Sequence, residues 1–176
     1  MTTQMTPKTT IAQPLDPRVL ARTLEEGYGP GAWHGADLRA ALADVSPAAA
    51  FRRPGPGRHN IAEIALHHAW CVRGVIGRIS GDEPGPFPLD GEDWFELSKG
   101  GPLSWPDVVR TLEEQQERLV ALVADIGAGT VASPLAEGEQ FDLVLGTTCH
   151  AVYHAGQVQL IKVLDAARRD SAPATA

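Results

Sequence analysis

Cysteine is scarce in this chain: Cys71 and Cys149 are the only two in 176 residues. A small secreted scaffold stapled by disulfides needs more, so both are expected as free thiols in a reducing compartment. No apolar run is long enough to span a bilayer, and the opening "MTTQMTPKTTIAQPLDP" has no hydrophobic segment of signal-peptide type. The expectation is a cytoplasmic protein that does not enter a membrane. Clustered basic residues are missing too. Fifteen Lys and Arg stand scattered against 22 Asp and Glu, a net charge of −7. That excludes the concentrated positive surface which nucleic acid or an anionic membrane requires. There is no Gly-rich phosphate loop, no G-x-S-x-G, no C-x-x-C and no H-E-x-x-H. No segment shows the alternating pattern of a half-buried strand.

What is present has the proportions of one globular domain with a core of its own, 43% hydrophobic and 21% charged. Residues 1–15 are polar and aperiodic, and 169–176 are small and polar. Both read as tails, with a helical domain over 16–168 between them. Asp16 and Pro17 form a helix start, and Gly27 is its expected stop. "GYGPGAWHG" breaks the helix and "ADLRAALADVS" resumes it. "RRPGPGRH" is a loop, forced by alternating Pro and Gly.

Asn60 with Glu63 three residues on has the spacing of a capping box. Ile61, Ile64, Ala65, His68, Val72, Val75, Ile76 and Ile79 then mark one helix face as far as Gly81. Residues 81–103 are too rich in Gly and Pro for regular structure, and unstructured segments of this length are usually functional or disordered. Ser104 with Asp107 opens the next helix, which carries Leu112, Leu119, Leu122 and Val123 and runs to Gly127. The last helix is expected from about Phe141, with Leu143, Thr147, His150, His154, Val158 and Ile161 on its inward stripe. One interrupted helix and three longer ones, with no sheet to pack on, predict an all-α four-helix bundle.

Polar residues on the inward stripes are the informative feature. In "HAVYHAGQ", His150 and His154 lie four apart, so both imidazoles project from one helix face about 6 Å apart along the axis. Four-apart histidines also arise by chance, and the pair alone decides nothing. Here, however, the pair falls on the buried stripe, where two imidazoles cost free energy unless each finds a partner. One divalent ion would serve both. It needs a third ligand, and "LHHAW" offers His67 and His68 on another apolar helix. The helical wheel puts His68 at the centre of that face and His67 about 100° away, near its edge. With three histidines and no fourth protein ligand, a coordination position stays open, as in catalytic sites. Equally, a buried histidine is often only hydrogen-bonded, and from the pattern alone both readings stand.

Four segments add a resemblance. "WHG", "HNIAEIALHHA", "DW" and "HAVYHAGQ" occur in the order seen in the DinB/YfiT-like superfamily, across about residues 17–167. The resemblance implies a four-helix bundle with a divalent ion, whether zinc, nickel, manganese or iron, held by three histidines. By the register of the family motif the metal ligands are His67, His150 and His154, and His68 stands where the family usually has an apolar residue. The resemblance further implies a transferase or isomerase that uses a low-molecular-weight thiol, such as bacillithiol or mycothiol, against a small electrophile, and a homodimer. The ion would lower the pKa of the thiol at its open position. Two alternatives are a hydrolase at the same site and a non-catalytic, stress- or damage-responsive metal-binding protein. No Asp or Glu is expected on the metal face one turn from the ligands, which disfavours hydrolysis.

Other candidates carry less. Gln157, one turn past His154, could hydrogen-bond near the site. Tyr153 is expected to pack, Trp33 and Trp94 to line a pocket mouth or cover the core, and His34 and His59 to be solvated or capping. Cys149 points about 100° off the ligand face and is not counted as a ligand.

Overall fold

The computed structural model describes residues 16–170, all of whose regular elements are α-helices. Helix α1 (Pro17–Tyr28) starts where the Asp16 carboxylate accepts the Arg18 N–H at 2.9 Å. It runs through Gly27 rather than stopping there. A Cβ at Gly27 would lie 3.1 Å from the backbone of Thr148 and from Ala151, so this glycine is a point of close helix approach. The resumed helix is two short pieces, α2 (Leu38–Leu42) capped by Asp37 and α3 (Pro47–Ala50) capped by Ser46.

Helix α4 (Ile61–Ser80) begins with the capping box read from its spacing. Asn60 Oδ1 accepts the Glu63 N–H at 2.8 Å, and Glu63 Oε2 accepts the Asn60 N–H at 3.2 Å. Gly81 ends the helix in the left-handed conformation, φ 80°. Helix α5 (Trp105–Gly127) has the same device in Ser104 and Asp107. Helix α6 (Glu137–Asp170) starts four residues before Phe141, where Glu139 Oε2 accepts the Ala136 N–H at 3.0 Å. At 34 residues it is about 50 Å long. The segments read as tails lie outside the described residues, apart from the end of α6.

Helix α1 packs against α5 and α6, and α4 packs against the same two, while α2 lies on α6. The apolar interior falls into two clusters. One joins Leu20, Leu24, Val72, Ile76, Leu119, Val123 and Val144. The other joins Leu38, Ile61, Leu66, Trp105, Val108, Leu112, Ala151 and Val158. Between them each of the three long helices carries buried polar side chains: His68 on α4, Gln115 and Gln116 on α5, Thr147 and Thr148 on α6.

The stretch from 81 to 103 has no helix or strand but is firmly attached. Phe87, Phe95 and Trp70 form an aromatic group with ring centroids 5.1–5.7 Å apart. Arg73 sits over Trp70 and donates to the carbonyls of Pro84 and Gly85. Leu97 is held at both polar atoms: its N–H donates to Glu63 Oε1 at 3.0 Å and its carbonyl accepts from Asn60 Nδ2 at 2.8 Å. The segment thereby carries Asp93 and Trp94 to the α4–α6 interface.

Glu63 is fully buried and accepts from Arg53, His59, Asn60 N and Leu97 N. Glu63→Ala strands those donors, so a loss of roughly 3 kcal/mol is expected in urea denaturation, with Glu63→Gln losing less. A midpoint unchanged by Glu63→Ala would contradict this role for the carboxylate.

Candidate metal centre

Because α4 and α6 pack together, "LHHAW" meets "HAVYHAGQ". His67 Nε2 lies 3.2 Å from His150 Nε2, which lies 2.8 Å from His154 Nε2. His67, His150 and His154 each bring a ring nitrogen within 4.8 Å of the others. A tetrahedral ion bound at about 2.1 Å would set its nitrogen ligands about 3.4 Å apart, so the three rings fit such an ion with small adjustments.

The outer nitrogens are as informative as the inner ones. His67 Nδ1 donates to the main-chain oxygen of Asp93 at 2.9 Å, and Asp93 Oδ1 lies 3.0 Å from the same nitrogen. His154 Nδ1 donates to Gln157 Oε1 at 2.7 Å. A ring that donates through Nδ1 keeps a lone pair on Nε2, so both partners set the tautomer a metal ligand needs. Asp93 presents two acceptors to one ring because its backbone is left-handed, φ 65°, a conformation that Asp tolerates better than most residues.

His150 Nδ1 lies 3.0 Å from His68 Nδ1, and His68 Nε2 lies 2.9 Å from Gln116 Nε2. For the His150 Nε2 lone pair to face inward, its Nδ1–H must donate to His68, whose remaining proton then sits on Nε2. In the structure Gln116 presents Nε2, a donor, to His68 Nε2; the chain runs outward from His150 only with the Gln116 carboxamide turned end for end. His68 therefore backs His150 and is not one of the three converging groups. The wheel was right about its burial: the centre of the α4 face bisects the directions of α5 and α6, so His68 meets Gln116 and His150. His67, at the edge, turns toward α6 and the 81–103 segment.

Burial favours the neutral form of three of these rings. It pushes His68 well below the usual histidine range, lowers His150, and brings His154 to about 4 despite the opposing hydrogen bond from Gln157. Trp94 stacks between His67 (3.9 Å) and His59 (3.7 Å), closing one side of the cluster. A cavity of about 740 Å³ is lined by His154 and Gln157 together with Trp94 and His59.

Several expectations hold. Gln157 bonds to the site, Cys149 is exposed, and His59 and His34 make local bonds to Glu63 and to the Glu26 carbonyl. Others need correction. Tyr153 is 63% exposed, accepts from Gln157 Nε2 and lines the cavity instead of packing inside. Trp33 is 86% exposed and is not among the residues lining this cavity. Three neighbours were missed. Cys71 Sγ lies 3.8 Å from His67 Nε2, its thiol pushed up to about 11 by burial; the four-residue step from His67 was the available signal. Gln116 was visible only as a polar residue interrupting an apolar stripe. Asp93 was quoted within a motif, but nothing in the sequence aims it at His67.

The sign of the pH response follows from His154. Its folded value of about 4 lies below the 6.5 of an unperturbed histidine. Between those values the unfolded chain binds a proton that the folded chain refuses, so stability present above pH 6.5 is lost as pH falls. In chelator, the stability difference between the native chain and His154→Gln should shrink as pH is lowered through this window, read from urea midpoints. A difference independent of pH would contradict a buried neutral His154.

Residues 32–158 match the family model of the DinB superfamily. No curated protein and no solved structure matches the chain significantly.

Proposed function

The chain belongs to the DinB superfamily, and from that membership we propose a metal-dependent enzyme in which His67, His150 and His154 hold one divalent ion and a low-molecular-weight thiol is transferred to, or isomerises, a small electrophile. Zinc, nickel, manganese and iron all suit three imidazoles. The observation that carries the reading is the convergence of three ring nitrogens whose outer nitrogens all have partners. When bound, the ion would supply Lewis acidity that lowers the pKa of a thiol or water at an open position.

The chain's own residues do the rest. Asp93, His68 and Gln157 fix the ring tautomers, Trp94 keeps solvent from one side, and the cavity admits the reactants. The thiol reading rests on the family membership. Both oxygens of Glu63 are taken, while the Asp93 carboxylate, 63% exposed with Oδ1 3.0 Å from His67 Nδ1, is the base that a hydrolase at this site would use. We further propose that α1, α4, α5 and α6 form the family's four-helix bundle, that the chain works in the cytoplasm, and that it pairs as a homodimer. Among the described residues no helix is long and apolar enough to cross a membrane.

Elemental analysis of protein purified without chelator should give one ion per chain, with His67→Ala, His150→Ala and His154→Ala each losing it. At a free metal concentration a hundredfold above Kd, the ion should add about 2.7 kcal/mol of stability that chelator removes. With a panel of thiols and a chromogenic electrophile, turnover that requires thiol supports the transferase. Turnover without thiol supports the hydrolase, and none at all supports a binding protein. For the dimer, light scattering should return twice 18.7 kDa; a single-chain mass at all concentrations would contradict it.

A further inference from the structure

We propose that the cavity beside the histidine cluster binds a small soluble amphiphilic anion, a carboxylate or sulfonate on an apolar body, with Arg58 holding the anionic group. The proposal names the substrate class of the site read above, but it rests on the cavity walls and not on the ion.

The walls are one-sided in charge. In a chain with 22 acidic and 15 basic residues, the cavity is lined by no Asp or Glu. It is lined by Arg58, whose guanidinium has no acidic partner among the described residues. Most other arginines are engaged: Arg52 with Asp165, Arg53 with Glu63, Arg39 with Glu113, and Arg73 with carbonyls. Arg58 is fixed at its base instead. Its N–H donates to Gly55 O at 3.2 Å and its carbonyl accepts from Arg53 at 2.7 Å. Gly57 just before it is left-handed, φ 65°, which lets the Pro-Gly-Pro-Gly turn close. The turn thus holds the Arg58 backbone at the rim and leaves the head group free.

The opposite wall is apolar. Ile64 and Ile161 lie behind Leu160 and Leu164, which are 60% and 43% exposed on α6. Apolar side chains left wet around a cavity of about 740 Å³ gain by covering, and that volume is typical of small-molecule sites. Arg58 is exposed at the rim, where a guanidinium without an acidic partner can take a carboxylate in a bidentate, charge-assisted manner, whereas a cationic ligand would meet no partner there. His154 and Gln157 at the inner end place such a ligand against the histidine cluster.

The test uses two dyes on the full chain: anilinonaphthalene sulfonate and its uncharged analogue N-phenylnaphthylamine. The anionic dye should bind at one site and be displaced by octanoate. Arg58→Gln should weaken it about tenfold while changing the neutral dye less than twofold. Leu160→Gln should weaken both, which reports the apolar wall with Arg58 intact. Equal binding of the anionic dye by the native chain and Arg58→Gln would overturn the proposal. So would co-sedimentation of the chain with phosphatidylglycerol vesicles, abolished by Arg58→Gln, which would assign Arg58 to a lipid surface. Repeating the titration in chelator separates this inference from the metal reading. Arg58-dependent dye binding in protein that never holds an ion supports the cavity alone; a three-histidine ion without Arg58-dependent binding leaves the metal reading standing and overturns this one.

Discussion

Four imidazoles are buried or half-buried where α4 meets α6, and the surrounding structure is organised to give each ring nitrogen a partner. A buried imidazole without partners costs a few kcal/mol, and a charged one costs more. Here every element near the interface contributes: Gln116 from α5, Gln157 from α6, and Asp93 from the 81–103 segment. Of the three inward nitrogens only His67 Nε2 has a neighbour outside the cluster among the described residues, Cys71 Sγ at 3.8 Å. The three face one another at 2.8 and 3.2 Å, distances that either a shared ion or an Nε2–H on His150 would satisfy.

The polar layer is affordable in energy because apolar packing flanks it on both sides. Toward one end lie Val72, Ile76, Leu119 and Val144, and toward the other Leu66, Leu112 and Val158. Helix α6, which carries two of the rings, cannot slide easily along α1, since Gly27 seats α1 against Thr148 and Ala151 on either side of His150. The irregular segment is held as firmly by Glu63, Asn60 and Arg73. The geometry of the histidine cluster thus rests on two long helices and one pinned loop, the arrangement that holds a site within tight tolerances.

Helix starts were legible where the signal is a local pair: Asp16–Pro17, Asn60–Glu63 and Ser104–Asp107 all cap as their spacing implies. The start of α6 was not, because Ala136 offers no side-chain cap and Gly138 weakens the first turn. The stop expected at Gly27 is absent because that glycine's role depends on a helix more than a hundred residues away. Within the site, periodicity found the buried face of α4 but could not say which neighbour lay in which direction, so it favoured His68 over His67. Family register pointed to His67, whose Nε2 faces His150. Asp93, Gln116 and the exposed Tyr153 depend on tertiary placement that no spacing encodes.

The central claim concerns which atoms hold the ion, and X-ray absorption at the zinc edge of zinc-loaded protein addresses it directly. Three imidazole nitrogens at about 2.0–2.1 Å, with the remaining position filled by a light oxygen scatterer, is the expected spectrum. Their number should drop in His67→Ala and stay at three in His68→Leu. A sulfur scatterer at about 2.3 Å, which would bring in Cys71, or loss of a nitrogen in His68→Leu but not in His67→Ala, would contradict it.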